Sequence, residues 1–75
     1  MNKITQCRKA LGYTQLDMAK KLNVSRQSYY RKEKGYVSFN DKEKLVLLGM
    51  FKKLFPDLTI EELFFLKEHK EKQRI

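Results

Sequence analysis

Between Arg8 and Gly35 the chain reads RKALGYTQLDMAKKLNVSRQSYYRKEKG, and this stretch limits the possible folds more than any other. It holds two short helical patterns with room between them for only a tight turn. Thr14 can cap the first, with Asp17 three residues on completing a loose capping box, T-Q-L-D. Leu16, Met18, Ala19 and Leu22 supply its apolar side at helical spacing. Asn23 stands where the chain turns, and asparagine tolerates the left-handed conformation better than most residues. Val24 offers a buried anchor and Ser25 an N-cap. The second pattern runs to about Lys34, where Gly35 can close it with a positive φ.

The second helix carries side chains suited to nucleic acid. Its first turn holds Arg26, Gln27 and Ser28, and Tyr30 and Arg31 follow about one turn later. Arg and Gln make paired hydrogen bonds to guanine and adenine edges in a major groove. A helix placed in that groove reads bases with its N-terminal residues. Tyr29 reads as core instead. At the start of the first helix, the Gln15 backbone N–H and side-chain amide can face a phosphate, helped by the helix dipole. Lys32 and Lys34 are candidate backbone contacts; for Lys20 and Lys21, phosphate contact and simple solvation both stay open.

The charge is placed to match. Of a net +8, residues 1–36 hold nine Lys/Arg against Asp17 and Glu33, a balance of +7, while residues 37–75 hold eight against seven acids. A solvated basic face would give the same total. Its concentration in the half bearing the paired helices is what phosphate contact requires.

This pattern resembles the Cro and lambda-repressor-like helix-turn-helix family of phage and bacterial DNA-binding proteins. Arg8, Gly12, the Thr14–Gln15 pair, Ala19, Val24–Ser25, the apolar slot at Tyr29, Glu33 and Gly35 carry the likeness. It implies an all-α, five-helix lambda-repressor-like DNA-binding domain over residues 1–70, with the helix-turn-helix at about 14–34 and a polar frayed tail at 71–75. It also implies a structural ion pair between Arg8 and Glu33, bracing the recognition helix against the first helix. Three positions depart from the family pattern. Asn23 stands where glycine is usual, and the connection from Phe51 to Thr59 is a little long. Lys32 stands where an apolar residue is common, which shifts the expected anchoring of the recognition helix to Tyr29 and Tyr36.

Outside the motif, Ile4, Cys7 and Leu11 mark the core side of a helix over 2–11 that ends at Gly12. With one cysteine no intrachain disulfide can form, and Cys7 reads as a small buried apolar residue. Ser38 or Asn40 can cap a fourth helix over 40–54. Leu45, Leu48, Phe51, Leu54 and Phe55 are its expected buried face, widened by Val46, Leu47 and Met50. Gly49 is expected to permit close helix approach, and Asp41, Lys42, Glu43 and Lys44 to be solvated. Pro56 and Asp57 break the chain, and Thr59-Ile60-Glu61-Glu62 is a capping box that opens a last helix reaching about residue 70. Ile60, Leu63, Phe64 and Lys67 follow one stripe of that helix. Phe64, Phe65 and Leu66 make a dimer or partner surface, or else an aromatic cover for helices 1 and 4.

Nothing supports enzyme chemistry. His69 has no nucleophile beside it, no Gly-rich phosphate loop occurs, and the carboxylates are scattered. One Cys and one His cannot supply a structural zinc site, so no metal, cofactor or small-molecule ligand is expected. No apolar run is long enough to span a membrane or to serve as a signal peptide, which makes the expected location cytoplasmic, on the nucleoid when DNA is bound. The expected function is a sequence-specific double-stranded DNA-binding transcriptional regulator. It would act as a Cro-like repressor, a homodimer at least on DNA, occluding a pseudo-palindromic operator. Without a ligand-sensing domain, control would come from concentration or a partner. Two alternatives remain: a protein-interaction module, such as an antirepressor or regulatory subunit retaining the fold, and a non-specific basic nucleic-acid binder.

Overall fold

Local polar exchanges set where each helix begins. In the computed structural model, which describes residues 2–64, the first four helices are α1 (Lys3–Ala10), α2 (Gln15–Leu22), α3 (Arg26–Glu33) and α4 (Asp41–Phe51). Asn2, Thr14, Ser25 and Asn40 precede them in extended conformation. Their side-chain oxygens accept the N–H groups of Thr5, Asp17, Ser28 and Glu43 at 2.8–3.1 Å. Asp17 and Glu43 return the bond to the capping residue, so α2 and α4 open on full capping boxes. Thr59 and Glu62 make the same exchange at α5 (Ile60–Phe64). No strand occurs among the described residues.

The first three helices also end alike. Gly12, Asn23 and Gly35 take φ of +80°, +57° and +90°. At each, two crossed bonds close the last turn: Gly12 N–H to Lys9 O and Tyr13 N–H to Arg8 O; Asn23 N–H to Lys20 O and Val24 N–H to Ala19 O; Gly35 N–H to Lys32 O and Tyr36 N–H to Arg31 O. This double closure is the Schellman arrangement, and it satisfies carbonyls that a helix end would leave without partners. Asparagine therefore serves at 23 where glycine is usual.

Helices of eight residues are marginal alone, so packing must hold them. α2 packs on α3, and α5 packs on α1 and α4. Met18, Tyr29, Leu47 and Phe51 form the fully buried centre, ringed by Ile4, Cys7, Ala19, Phe39, Leu58 and Leu63. The Phe39 ring lies between Tyr29 (centroids 6.2 Å apart, tilted) and Phe64 (5.8 Å, edge to face). Tilted and edge-to-face pairs of this kind favour the aromatic quadrupoles.

Several expected core positions lie elsewhere. Leu16 is 46% exposed and Leu45 64% exposed. Each stands two residues before a fully buried one, Met18 and Leu47. At 3.6 residues per turn, two residues are about 200° apart, so both members cannot face one core. On α4 the buried line runs through Glu43, Leu47 and Phe51, with Leu48 half-buried, because Glu43 is not solvated but ion-paired. The helix ends at Phe51 rather than 54, which leaves Leu54 and Phe55 exposed on the following turn. Gly49 is exposed and has no atom within 4 Å of where a Cβ would stand, so no helix approaches there. Phe39 and Leu58, in connections, supply core that helical periodicity does not reveal. Phe64 is half-buried against this core. Phe65, Leu66, Lys67, His69, the last helix beyond 64 and the tail at 71–75 lie outside the described residues.

Candidate nucleic-acid interface

Helix α3 is held by its C-terminal end, and one carboxylate does most of the holding. Glu33 is buried, and four hydrogen bonds reach its two oxygens. Arg8 donates from Nε to Oε2 at 2.8 Å and from Nη2 to Oε1 at 3.2 Å, Tyr29 Oη donates to Oε2 at 2.6 Å, and Gln15 Nε2 donates to Oε1 at 3.2 Å. The remaining Arg8 nitrogen, Nη1, donates to the Tyr13 carbonyl at 2.9 Å, and Asn2 Nδ2 donates to the Glu33 carbonyl at 2.7 Å. Both ends of α1, the start of α2 and the last turn of α3 therefore meet at one point. No buried side-chain polar atom lacks a partner among the described residues.

Burial alone would raise the Glu33 carboxyl. The hydrogen bonds from Arg8, Tyr29 and Gln15, with the Arg8 charge, outweigh burial and hold it below the ordinary glutamate value. The same hydrogen bond from Arg8 to Glu33 raises the Arg8 guanidinium against the effect of burial. Burial pushes the Tyr29 phenol well up, and its bond to Glu33 adds to the shift.

A second ion pair fixes the other side of α3. Lys32 Nζ donates to both oxygens of Glu43 at 2.6 and 2.8 Å, and both side chains are largely buried. Glu43 is also the third residue of the α4 capping box. Burial would raise its carboxyl, but bonds from Lys32 and the Asn40 N–H prevail and lower it. The ammonium of Lys32, expected on a phosphate, is committed to Glu43. At this position an ion pair does the anchoring that an apolar residue would do. Tyr36, the other expected anchor, is 68% exposed and serves α3 through its backbone N–H rather than its ring.

With Tyr29 and Glu33 turned inward, α3 shows its opposite side to solvent. Arg26, Gln27, Tyr30, Arg31 and Lys34 are exposed and Ser28 is half-buried. Lys34 Nζ lies 5.7 Å from the Tyr30 ring centroid, a cation–π contact that draws the two together. Gln15 lines one shallow hollow with Arg26, Gln27 and Tyr30, so the start of α2 and the outer face of α3 form one surface. Lys20 is exposed further along α2. A neighbouring hollow adds Leu16 beside Gln15 and Arg26. Leu16, expected in the core for its apolar character, stands on this surface as the second residue of α2, where the capping box at Thr14 fixes it.

Two short helices joined by a left-handed turn, the second braced from behind and presenting Arg and Gln outward, define a helix-turn-helix DNA-binding domain. The helix-turn-helix family model matches residues 4–43, more than half the chain, and the protein belongs to this family, of the Cro and lambda-repressor-like type. It is a DNA-binding transcription regulator. No curated protein and no solved structure matches the chain. No helix among the described residues is long and apolar enough to cross a membrane.

Proposed function

We propose that the protein is a sequence-specific regulator of the Cro type, reading double-stranded DNA with α3 and repressing by occluding an operator. The observation that carries this reading is the two-sidedness of α3. Tyr29, Lys32 and Glu33 are spent on the fold, whereas Arg26, Gln27, Tyr30 and Arg31 are exposed, the first three around one hollow with Gln15. Arg26, Gln27 and Arg31 supply bidentate donors and acceptors for base edges, with Ser28 and Tyr30 available to a base, a thymine methyl or a phosphate. Gln15, Lys20 and Lys34 meet phosphates and set the register. The Gln15 amide nitrogen is bonded to Glu33 through one N–H, which leaves its second N–H to donate to a phosphate oxygen.

Recognition by so short a helix covers few base pairs, and a homodimer on a pseudo-palindromic site doubles it. Two recognition helices would then enter successive major grooves about 34 Å apart. Bound in this way, the protein competes with polymerase for the promoter and performs no chemistry.

The test is in vitro selection from a random duplex library at about 150 mM salt, where non-specific phosphate binding is already weakened. Enrichment of a two-fold-symmetric site with half-sites about 10 bp apart is expected. A single enriched half-site would remove the dimer but keep specific reading. Absence of any enrichment would overturn the proposal in favour of a non-specific binder or an interaction module.

A further inference from the structure

We propose that Leu16 contacts the C5-methyl group of a thymine, giving α2 a base-reading position of its own; this rests on α3 lying in the major groove as proposed above. A lone exposed leucine is ordinary on a protein surface and argues nothing. The argument comes from where this one stands. Leu16 shares one surface hollow with Gln15, Arg26, Arg8 and the turn Gly12-Tyr13-Thr14, and through Gln15 and Arg26 that hollow adjoins the one formed by Gln15, Arg26, Gln27 and Tyr30. It is thus an aliphatic side chain at the edge of the surface that carries Gln15, Arg26, Gln27 and Tyr30, the side chains proposed above to meet DNA.

The fold also holds it there. Leu16 is the second residue of α2, whose start is locked by the reciprocal Thr14–Asp17 bonds at 2.9 and 3.1 Å. Gln15, immediately before it, is tied to Glu33. Met18 and Ala19 occupy the core side of α2, so Leu16 cannot turn inward without unseating them. Lys20, one turn further on, shares its side of the helix and is exposed too. When α3 enters the groove, this strip of α2 is carried to the groove edge. There the thymine methyl is the apolar group that base pairs present in the major groove, and burying it against Leu16 removes both from water.

The experiment uses the full chain and the duplex enriched by selection, with each thymine replaced singly by deoxyuridine and affinity read by fluorescence anisotropy. Deoxyuridine differs by the loss of that one methyl. Wild-type protein should lose about fourfold in affinity at one thymine per half-site, as expected for one buried methyl-sized group. Leu16→Ala should bind the parent duplex more weakly by a similar factor and no longer respond to deoxyuridine at that position. Leu16→Gln, which keeps a long side chain but not an apolar one, should be equally insensitive. Thermal unfolding of both variants is measured alongside, and a half-exposed position should leave the midpoint within a few degrees of wild type.

Three results would overturn the contact. One is a Leu16→Ala protein that keeps every deoxyuridine response, which would assign the methyl to another side chain such as Tyr30. Another is equal weakening on enriched and scrambled duplexes, which would place Leu16 on deoxyribose. The third is unchanged affinity. A selection that enriches no site at all would remove the α3 reading and the contact together, so the two failures are told apart before any leucine is changed.

Discussion

Arg8 and Glu33 are 25 residues apart in sequence and joined in space by two parallel hydrogen bonds of 2.8 and 3.2 Å, nearly out of reach of solvent. This pairing couples α1 to the last turn of α3. Removing one partner of a buried pair strands the other charge, at a cost of about 3–5 kcal/mol. Arg8→Ala and Glu33→Ala should each destabilise the domain by that order in urea unfolding. Both changes together should cost clearly less than their sum, because the double variant strands neither charge.

The acid limit of stability follows from the lowered carboxyls of Glu33 and Glu43. Each has a folded value below its ordinary 4.5, so on acidification the unfolded chain takes up protons first. The stabilisation is therefore fully present above about pH 5 and is lost as the pH falls through 4.5 toward the folded values. The melting temperature should be flat between pH 7 and about pH 5 and drop below that. Glu43→Gln should flatten part of the drop. Tyr29 has the opposite sign: its raised phenol supports the fold below its ordinary 10.0 and withdraws that support as the pH rises above it.

Lys32 and Glu43 allow a separate test of anchoring. Lys32→Ala leaves Glu43 buried beside an empty site and should cost about 3 kcal/mol. The double change Lys32→Met with Glu43→Leu should recover most of that loss, since well-packed apolar groups commonly match or exceed a buried ion pair. A Lys32→Ala protein with wild-type stability would show that the pair contributes nothing to holding α3.

Two glycine-to-alanine changes should move stability in opposite directions. Gly35 has φ +90° at the end of α3, where a side chain costs about 1–2 kcal/mol even though nothing crowds a Cβ. Gly49 lies inside α4, exposed and also uncrowded, so alanine should stabilise there by about 0.5–1 kcal/mol through a less flexible unfolded chain. Paired melting curves measure the difference.

On DNA, Gln27→Ala should relax preference at one base position at a cost of about 1–3 kcal/mol, while Lys20→Ala should weaken all duplexes alike and reduce the salt slope by about 1. Identical behaviour of the two variants would mean that the reading face has been assigned to the wrong residues.

Much of this architecture is local and so was open to reading from the chain. Thr14 with Asp17, Asn40 and Thr59 with Glu62 begin helices, and Gly12, Asn23 and Gly35 end them, because caps and left-handed turns depend on residues within four or five positions of one another. The all-helical class, the helix-turn-helix and the family membership follow from those signals and the spacing between them. Which apolar residues go inside does not. Leu16, Leu45, Leu54 and Phe55 look like core, yet they are exposed, while Phe39 and Leu58 in connecting segments are buried. Glu43 looks like solvated charge, yet it is buried because Lys32, 11 residues earlier, arrives beside it. Burial is a property of the assembled helices: rotating α4 about its axis by a fraction of a turn exchanges Leu45 for Leu47, and only the partners on the other side select the orientation. The same holds for the hollow between α2 and α3, where the neighbours of Gln15 are Arg26 and Tyr30 only once the two helices have docked.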